Sequence, residues 1–97
     1  MKYWVYLLIT IHKKKTFTYV GYTNDVKKRL FAHNNSTGAK YTKGKKWILF
    51  HKEFYSSKSK AMSREYKLKK DRKFRNILKE KFQKKSNISK LYKYNFK

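Results

Sequence analysis

Five carboxylate side chains are present in the chain, and four of them have an ordinary structural interpretation. Asp25 and Asp71 precede or open predicted helices, where an anionic side chain stabilises the first turn. Glu53 ends a predicted strand and Glu80 lies among lysines on a predicted helix, so surface ion pairs are expected for both. Glu65 differs, because helical spacing places it on an apolar face, where an unpaired carboxylate is costly. It is either the partner of a Lys or Arg in a salt bridge, or a metal ligand or site carboxylate.

This scarcity of carboxylates limits the phosphodiester chemistry that the chain could perform. A two-metal phosphodiesterase needs several carboxylates to hold both ions, and Glu65 is the one plausible candidate. Cleavage would therefore use at most one divalent ion, with positive side chains stabilising the remaining charge. The three histidines, His12, His33 and His51, have no cysteine to join them and form no recognisable zinc pattern. A structural zinc site is not expected.

Arg29 and His33 are a second pair of residues that could take part in chemistry. They are four residues apart on a predicted helix and therefore share one face. Arginine cannot lose its proton, which suits contact with a scissile phosphate. Gly21 weakens the preceding strand, which is tolerable where a ligand or another backbone approaches closely. The alternatives are that Arg29 is a solvated surface cation and that His33 is a surface or packing residue.

The segments that would position these residues follow the order β-β-α-β-α-α, which describes a small α+β domain. Strands are predicted at residues 4–9, 16–22 and 47–54, and helices at residues 25–33, from 57 to about 70, and from 71 onward. Thr23 or Asn24 is expected to cap the first helix. The pair Ser56-Ser57 is expected to cap the second helix and Asp71 the third. The clearest amphipathic stripe belongs to the last helix and consists of Phe74, Ile77, Leu78 and Phe82.

Composition favours one compact domain that binds a polyanion. The chain has 97 residues with no Pro and no Cys, which is too short for two cores. Lys and Arg number 28 against five acidic residues, giving a formal charge of +23. A magnitude of about 2–8 suffices for solubility, so nucleic acid is the first partner to expect and an anionic membrane surface the second. The 39% of hydrophobic residues, with 19% aromatic, excludes a disordered basic tail.

Two further expectations concern location and the C-terminal segment. The longest apolar run, Tyr3 to Ile11, is too short to span a bilayer, so a soluble cytoplasmic protein without membrane contact is expected. Residues 1–83 are expected to form the domain, and residues 84–97 a basic aromatic extension. That extension has alternating Tyr92, Tyr94 and Phe96, and an extra strand, a docked arm and a frayed tail are all open.

Several motifs, in order and at suitable spacing, resemble the GIY-YIG nuclease family. They are Trp4-Val5-Tyr6, Tyr19-Val20-Gly21, the helix from Tyr22 through Arg29 to His33, Gly38-Ala39-Lys40-Tyr41-Thr42, and Ala61-Met62-Ser63-Arg64-Glu65-Tyr66-Lys67-Leu68-Lys69. The resemblance covers about residues 3–80 and is greatest to the short single-domain members. Trp4 stands where the family has the first Gly of its name, while the Tyr of that triplet is kept.

The resemblance implies a small antiparallel three-stranded sheet flanked by helices, and a phosphodiesterase that depends on Mg²⁺ or Mn²⁺. Glu65 would be the metal ligand. Tyr6 and Tyr19 would lie beside the scissile phosphate, and one of them would help to deprotonate the attacking water. Arg29 would stabilise phosphoryl charge, and His33 would assist. A free Tyr has a pKa near 10, so a Tyr acting as base needs a neighbouring cation or metal-bound water. The alternative is that both tyrosines are inward-facing strand aromatics.

The predicted function is a DNA endonuclease that selects DNA by structure or is weakly sequence-selective, as in DNA repair or recombination. The expected DNA contacts are Lys28, Lys40, Tyr41, Lys43, Lys45 and Lys69. One alternative is a non-catalytic basic nucleic-acid-binding protein, or a catalytic subunit that needs a protein partner. A third interpretation is an RNA-binding, ribosome-associated protein, with which the charge alone is compatible.

Overall fold

The computed structural model describes the backbone of residues 2–92 and the side chains of residues 2–85. Its elements are strands β1 (Tyr3–His12) and β2 (Lys15–Thr23), helix α1 (Val26–Asn34), a 3₁₀ turn (Lys40–Thr42), strand β3 (Ile48–Tyr55), and helices α2 (Lys58–Lys70) and α3 (Arg72–Tyr92). The predicted α+β class and element order are confirmed. The 3₁₀ turn lies in the connection between α1 and β3.

The three strands form an antiparallel sheet in the order β2-β1-β3, so β1 is central. Lys13 and Lys14 form the two-residue turn between β1 and β2, with φ angles of 51° and 68°. Positive φ at both turn residues matches the twist of a hairpin, although Asn-Gly is the usual sequence there. The register places Tyr6 opposite Gly21 and Leu8 opposite Tyr19.

Both faces of the sheet are covered, which explains why β1 is apolar almost throughout. On one face, Val5, Leu7 and Ile9 pack with residues of α2 and α3. On the other face, Tyr6 and Leu8 pack with Trp47 and with residues that include Tyr19 and Leu30. Since alternate residues of a strand point to opposite faces, Tyr6 and Tyr19 reach the side where α1 lies.

The helix starts agree with the predictions at two of three positions. Ser57 caps α2 and Asp71 caps α3, each accepting a backbone N–H three residues later. The prediction for α1 is wrong, because Asp25 and not Thr23 or Asn24 is the N-cap, with Oδ1 accepting a backbone N–H at 3.1 Å. Thr23 instead accepts the N–H of Asp25 through its hydroxyl, which leads the chain into the helix.

The third helix continues through residue 84 to Tyr92. An extra strand after residue 84 is therefore wrong as far as residue 92, while Tyr94 and Phe96 lie outside the described residues. The division of the chain at residue 84 stays a prediction. Within the described residues, no helix is long and apolar enough to cross a membrane.

Candidate active site

An open cleft of about 540 Å³ lies along β2, one of the two edge strands, and is lined by residues from elements on both faces of the sheet. Its lining residues are Tyr3, Tyr6, Tyr19, Gly21, Tyr22, Thr23, Asn24, Arg29, Lys58 and Glu65. The tyrosines come from β1 and β2, Arg29 comes from the first turns of α1, and Glu65 comes from α2. The structure thus brings four of the five predicted catalytic and metal-binding residues into one cleft, and the fifth, His33, lies directly behind Tyr6.

Gly21 makes room for the side chain of Tyr6. A Cβ atom at position 21 would lie 2.5 Å from Tyr6 Oη and 2.7 Å from its Cζ, which no side chain could satisfy without displacing the ring. The close approach expected at this glycine is therefore real, but the neighbour is a phenol ring of the same protein. Gly21 thereby lets Tyr6 turn its hydroxyl along the strand pair towards α1.

His33 is fully buried and links Tyr6 to the 3₁₀ turn. Its Nε2 lies 2.9 Å from Tyr6 Oη, and its Nδ1 lies 2.9 Å from Thr42 Oγ1. The Thr42 hydroxyl in turn donates to the carbonyl oxygen of Ala39 at 2.8 Å. A Cβ atom on Gly38 would collide with the His33 ring, so this glycine also makes room for the chain of hydrogen bonds.

Burial keeps both ends of the Tyr6–His33 pair neutral at pH 7. Burial raises the pKa of Tyr6 to about 12, against the smaller opposing effect of the hydrogen bond and charge of Arg29. Burial, and next the charge of Arg29, lowers the pKa of His33 below its usual value. A nearby cation was expected to favour the ionised form of a catalytic tyrosine, but desolvation outweighs Arg29 here. Tyr6 is therefore a neutral phenol hydrogen-bonded to a neutral imidazole.

Glu65 both lines the cleft and contacts a cation. Its side chain is 20% exposed, and Oε2 lies 3.5 Å from the Nζ atom of Lys69 one turn further along α2. That distance is an ion pair and is too long for a strong charge-assisted hydrogen bond. Both interpretations made from the sequence thus have a basis. The salt-bridge partner is a surface lysine on the same helix, and the carboxylate still faces the cleft as a site carboxylate would.

The carboxylate of Glu65 in the cleft is compatible with one divalent metal ion that would take its other ligands from water and substrate. Among the residues that the structure describes, no three His, Asp or Glu side chains gather, so no site there could hold a metal through protein ligands alone. Mg²⁺ commonly binds through one or two carboxylates and completes its shell with water and substrate phosphate. Glu65, in an open cleft lined mainly by polar atoms, meets that requirement.

A second, smaller cleft of about 240 Å³ continues along the same edge strand and shares Tyr19 with the first. Lys69 and Arg75 supply its positive charge, and Tyr41 forms part of its wall. The Tyr41 ring stacks on Tyr19 with centroids 6.1 Å apart, and the Nζ atom of Lys45 lies 5.4 Å from the Tyr41 centroid. Three of the predicted DNA contacts therefore lie together beside the first cleft.

The remaining predicted DNA contacts are more scattered. Lys28 lines a shallow cleft of about 250 Å³ that shares Arg29 with the first. Lys40 and Lys43 are exposed at the 3₁₀ turn and line none of the clefts described above.

Two residues of the site have no role in the sequence-based interpretation. Thr42 belongs to the Gly38–Thr42 motif, and its place in that motif was a usable signal. Arg75 carries no such signal, because its position depends on how α3 folds back at Asp71. The guanidinium of Arg75 donates to the carbonyl oxygen of Lys69 at 2.8 Å, which fixes the two cations of the second cleft near each other.

With this geometry established, comparison with known proteins gives the class of the chain. The sequence model described as the GIY-YIG catalytic domain matches residues 2–79. The chain therefore belongs to the GIY-YIG family, and the resemblance stated from the motifs is confirmed. Membership indicates a nuclease-type function that acts on nucleic acid and generally uses a divalent metal.

The similar proteins bear names that state no activity. The UPF0213 protein SH2523 of Staphylococcus haemolyticus is 44% identical over 69 residues, covering 70% of this chain and 80% of that protein. The UPF0213 protein CPE1444 of Clostridium perfringens is 51% identical over 53 residues, covering 54% of this chain and 57% of that protein. The solution structure of the UPF0213 protein BH0048 from Bacillus halodurans is 36% identical, covers 80% of this chain and 82% of that one, and has a TM-score of 0.45.

Proposed function

We propose that this protein is a DNA endonuclease that hydrolyses phosphodiester bonds with one divalent metal ion, Mg²⁺ or Mn²⁺. The observation that carries the proposal is the single cleft containing Tyr6, Tyr19, Arg29 and Glu65, with His33 hydrogen-bonded behind Tyr6. A protein that only binds nucleic acid has no need of a carboxylate within so basic a surface.

In the proposed reaction Tyr6 and His33 act as a proton relay. The attacking water gives a proton to Tyr6 Oη while the phenolic proton of Tyr6 passes to Nε2 of His33, which becomes an imidazolium. The water oxygen forms a bond to phosphorus, the scissile P–O bond breaks, and the leaving oxygen takes a proton from solvent. His33, whose charged form burial and Arg29 disfavour, then returns its extra proton through Tyr6 to solvent in the cleft, which restores the neutral pair. Because the relay ends on an imidazole, Tyr6 can accept a proton without first existing as a phenolate, which its high pKa would make rare. This assigns the base to Tyr6 and not to Tyr19.

Arg29 and Glu65 have complementary roles in the proposal. Arg29 faces the cleft, keeps its charge at any working pH and would stabilise the negative charge on the phosphoryl oxygens. Glu65 would hold the divalent ion, which supplies Lewis-acid stabilisation of the phosphoryl group when it is bound. Tyr19, whose ring centroid lies 4.9 Å from that of His33, would form the wall against which the substrate packs.

The charge distribution supports a nucleic-acid substrate, which we propose to be DNA. The three clefts form one path along the edge of the sheet. The first cleft shares Arg29 with the shallow cleft of Lys28, and it shares Tyr19 with the second cleft, which contains Lys69 and Arg75. Tyr41 lines this path and Lys45 lies over its ring, while Lys40 and Lys43 are exposed at the 3₁₀ turn. We propose selection by DNA structure or weak sequence selection, since these contacts are cations and aromatic rings suited to phosphates and sugars. A cytoplasmic location, without membrane contact, is part of the same proposal.

The test is cleavage of linear, branched and flapped DNA of equal length, with Mg²⁺, with Mn²⁺ and with a chelator. We expect cleavage that requires the metal and differs among the three DNA structures. Equal binding of all three without cleavage under any metal condition would contradict the proposal.

The ion pair between Glu65 and Lys69 favours a second candidate, a non-catalytic nucleic-acid-binding protein or a catalytic subunit that needs a protein partner. In a binding protein this pair would be purely structural. That candidate predicts binding without metal-dependent cleavage, and the subunit version predicts cleavage only when cell extract is added to the purified protein.

A further inference from the structure

The proposed relay requires one particular form of His33. A neutral imidazole carries its proton on either Nδ1 or Nε2, and the two forms differ little in intrinsic energy. Nε2 can receive the Tyr6 proton only when Nε2 is unprotonated. Because Nε2 faces Tyr6 Oη at 2.9 Å, a phenol that can either donate or accept, this end of the chain does not by itself decide the tautomer.

The other end of the hydrogen-bond chain does decide it. Thr42 Oγ1 lies 2.8 Å from the carbonyl oxygen of Ala39, and a carbonyl oxygen cannot donate. The single hydroxyl proton of Thr42 must therefore lie between these two oxygens. Only lone pairs of Oγ1 are left to face Nδ1 of His33, 2.9 Å away, so Nδ1 must carry the imidazole proton.

We propose that Thr42 is a positioning residue that holds His33 in its Nδ1–H form, and thereby makes Nε2 the acceptor of the Tyr6 proton. The tautomer follows from the geometry alone, whereas its consequence for catalysis rests on the proposed function. Thr42 touches neither the cleft nor a substrate and acts only through His33.

The backbone around Thr42 is built to keep the hydroxyl in this orientation. The Ala39 carbonyl is fixed because it also accepts the N–H of Thr42 at 3.1 Å within the 3₁₀ turn. The carbonyl of Thr42 accepts the indole N–H of Trp47 at 3.0 Å, which anchors the turn to a buried aromatic residue. Thr42 and His33 are both fully buried, so water cannot replace Oγ1 as the acceptor for Nδ1.

The measurement is the tautomer of His33 by long-range ¹H–¹⁵N correlation NMR of the full chain, without DNA or metal. In the wild-type protein we expect Nδ1 to show the shift of a protonated nitrogen and Nε2 that of an unprotonated one. A wild-type His33 protonated on Nε2 would overturn the inference, and this arm needs no substitution to fold.

Variants then test whether Thr42 is the cause. Thr42→Val keeps the shape of the side chain and removes the acceptor, so we expect the proton to move to Nε2, where Tyr6 can accept it. Thr42→Ser restores the hydroxyl and should restore the wild-type spectrum. Thr37→Val is the matched control, since Thr37 also donates to a backbone carbonyl in this loop but does not contact His33. An unchanged spectrum in a folded Thr42→Val protein would overturn the inference.

Cleavage kinetics separate this inference from the proposed function. If the chain is a nuclease, Thr42→Val should lower kcat by roughly tenfold or more, leave DNA affinity unchanged, and be rescued by serine. If wild-type protein cleaves nothing, the proposed function fails while the tautomer result still stands. A Thr42→Val protein with the changed tautomer and full cleavage activity would refute the catalytic consequence.

Discussion

Two clusters in this protein contain the same four kinds of side chain and differ in what those side chains can still do. The cleft cluster consists of Tyr6, Arg29, His33 and Glu65, and the β3 cluster consists of His51, Glu53, Tyr55 and Arg64. Both clusters use α2, which joins β1 and α1 in the cleft cluster and β3 in the β3 cluster. In the β3 cluster every hydrogen bond ends on one carboxylate, whereas in the cleft cluster the carboxylate and the Tyr–His pair are separate.

Glu53 illustrates a carboxylate with no capacity left for a ligand. It accepts from the Nε and Nη2 atoms of Arg64 at 2.8 and 3.0 Å, from His51 Nε2 at 2.7 Å, and from the Tyr55 hydroxyl at 2.8 Å. Four donors fill the lone-pair positions that a carboxylate offers. These contacts, led by the hydrogen bonds of Arg64, lower the pKa of Glu53 to about 2. The cluster therefore joins β3 to α2 and has no evident chemical use.

Glu65 illustrates the opposite condition, although it lies next to Arg64 in the sequence. The contact that the structure shows for it is a long ion pair with Lys69, and its carboxylate faces an open cleft. The comparison teaches that a structural carboxylate differs from an available one in how many hydrogen bonds it already accepts. Burial and residue type do not distinguish the two. Glu53 and Glu65 are about equally exposed, at 22% and 20% of the side chain.

Replacing Glu65 is expected to have the largest effect, a loss of cleavage without a loss of stability. In Glu65→Gln we expect metal-dependent cleavage to fall by about a hundredfold or more, because the charge that would hold the ion is gone. DNA affinity should hold or rise, since one negative charge leaves a positive cleft. The thermal midpoint should hold or rise as well, because little is lost with a 3.5 Å ion pair. Cleavage assays, DNA titrations and thermal melts of the same preparation check all three.

The control for this variant is Glu80→Gln, which makes the same charge change at an exposed position on α3 and should alter none of the three quantities. A stable Glu65→Gln protein with undiminished metal-dependent cleavage would remove Glu65 from the proposed mechanism.

Replacing Glu53 should produce the reverse pattern. Glu53→Gln leaves the guanidinium of Arg64 without its partner charge in a partly buried place, so we expect the free energy of unfolding to fall by about 3 kcal/mol. Cleavage per folded molecule should stay at the wild-type level. Urea denaturation gives the free energy of unfolding. The cleavage rate is divided by the concentration of folded protein, which gives the rate per folded molecule. Equal loss of stability in Glu53→Gln and Glu65→Gln would mean that the comparison between the two carboxylates is wrong.

The loss of stability at acid pH should show the structural role of Glu53 without any measurement of activity. Its pKa is about 2 in the folded protein and 4.5 as the reference value. The depressed folded pKa contributes stability above pH 4.5 that is lost as the pH falls towards 2. We expect about 2 kcal/mol of this contribution to disappear between about pH 6 and pH 3. Urea midpoints across this range should fall less steeply in Glu53→Gln, and parallel curves for the two proteins would contradict the assignment.

These clusters also show what could and could not be predicted from the sequence. Glu65 was identified because helical spacing puts a charge on an apolar face, which is local information. The strand alternation of His51, Glu53 and Tyr55 puts three polar residues on one face of β3 and could have predicted part of the β3 cluster. Arg64 could not have been added, since its contact depends on how α2 packs against the sheet.

The same limit applies to the cleft. The motifs predicted the fold and the residues that lie in the cleft or directly behind it, because those residues follow local spacing and a family pattern. The protonation state of Tyr6 could not be predicted from the sequence, since desolvation is a property of the packed structure and outweighs the effect of the nearby Arg29. Thr42 was missed because its role depends on a hydrogen-bond chain that crosses from the 3₁₀ turn to α1.

The two arginines provide the smallest and most direct comparison, through the salt dependence of DNA binding. Each phosphate contact contributes about 0.9 to the slope of log affinity against log salt for duplex DNA. Arg29→Gln should lower that slope by about 0.9, because Arg29 faces the cleft and would contact phosphate. Arg64→Gln removes the same formal charge, but Arg64 is held by Glu53, so its slope should stay close to that of the wild type. Binding is measured between about 50 and 200 mM salt without metal, at a temperature where both variants are folded. Equal slopes for the two variants would show that net charge, and not the placement of Arg29 in the cleft, governs how this protein holds DNA.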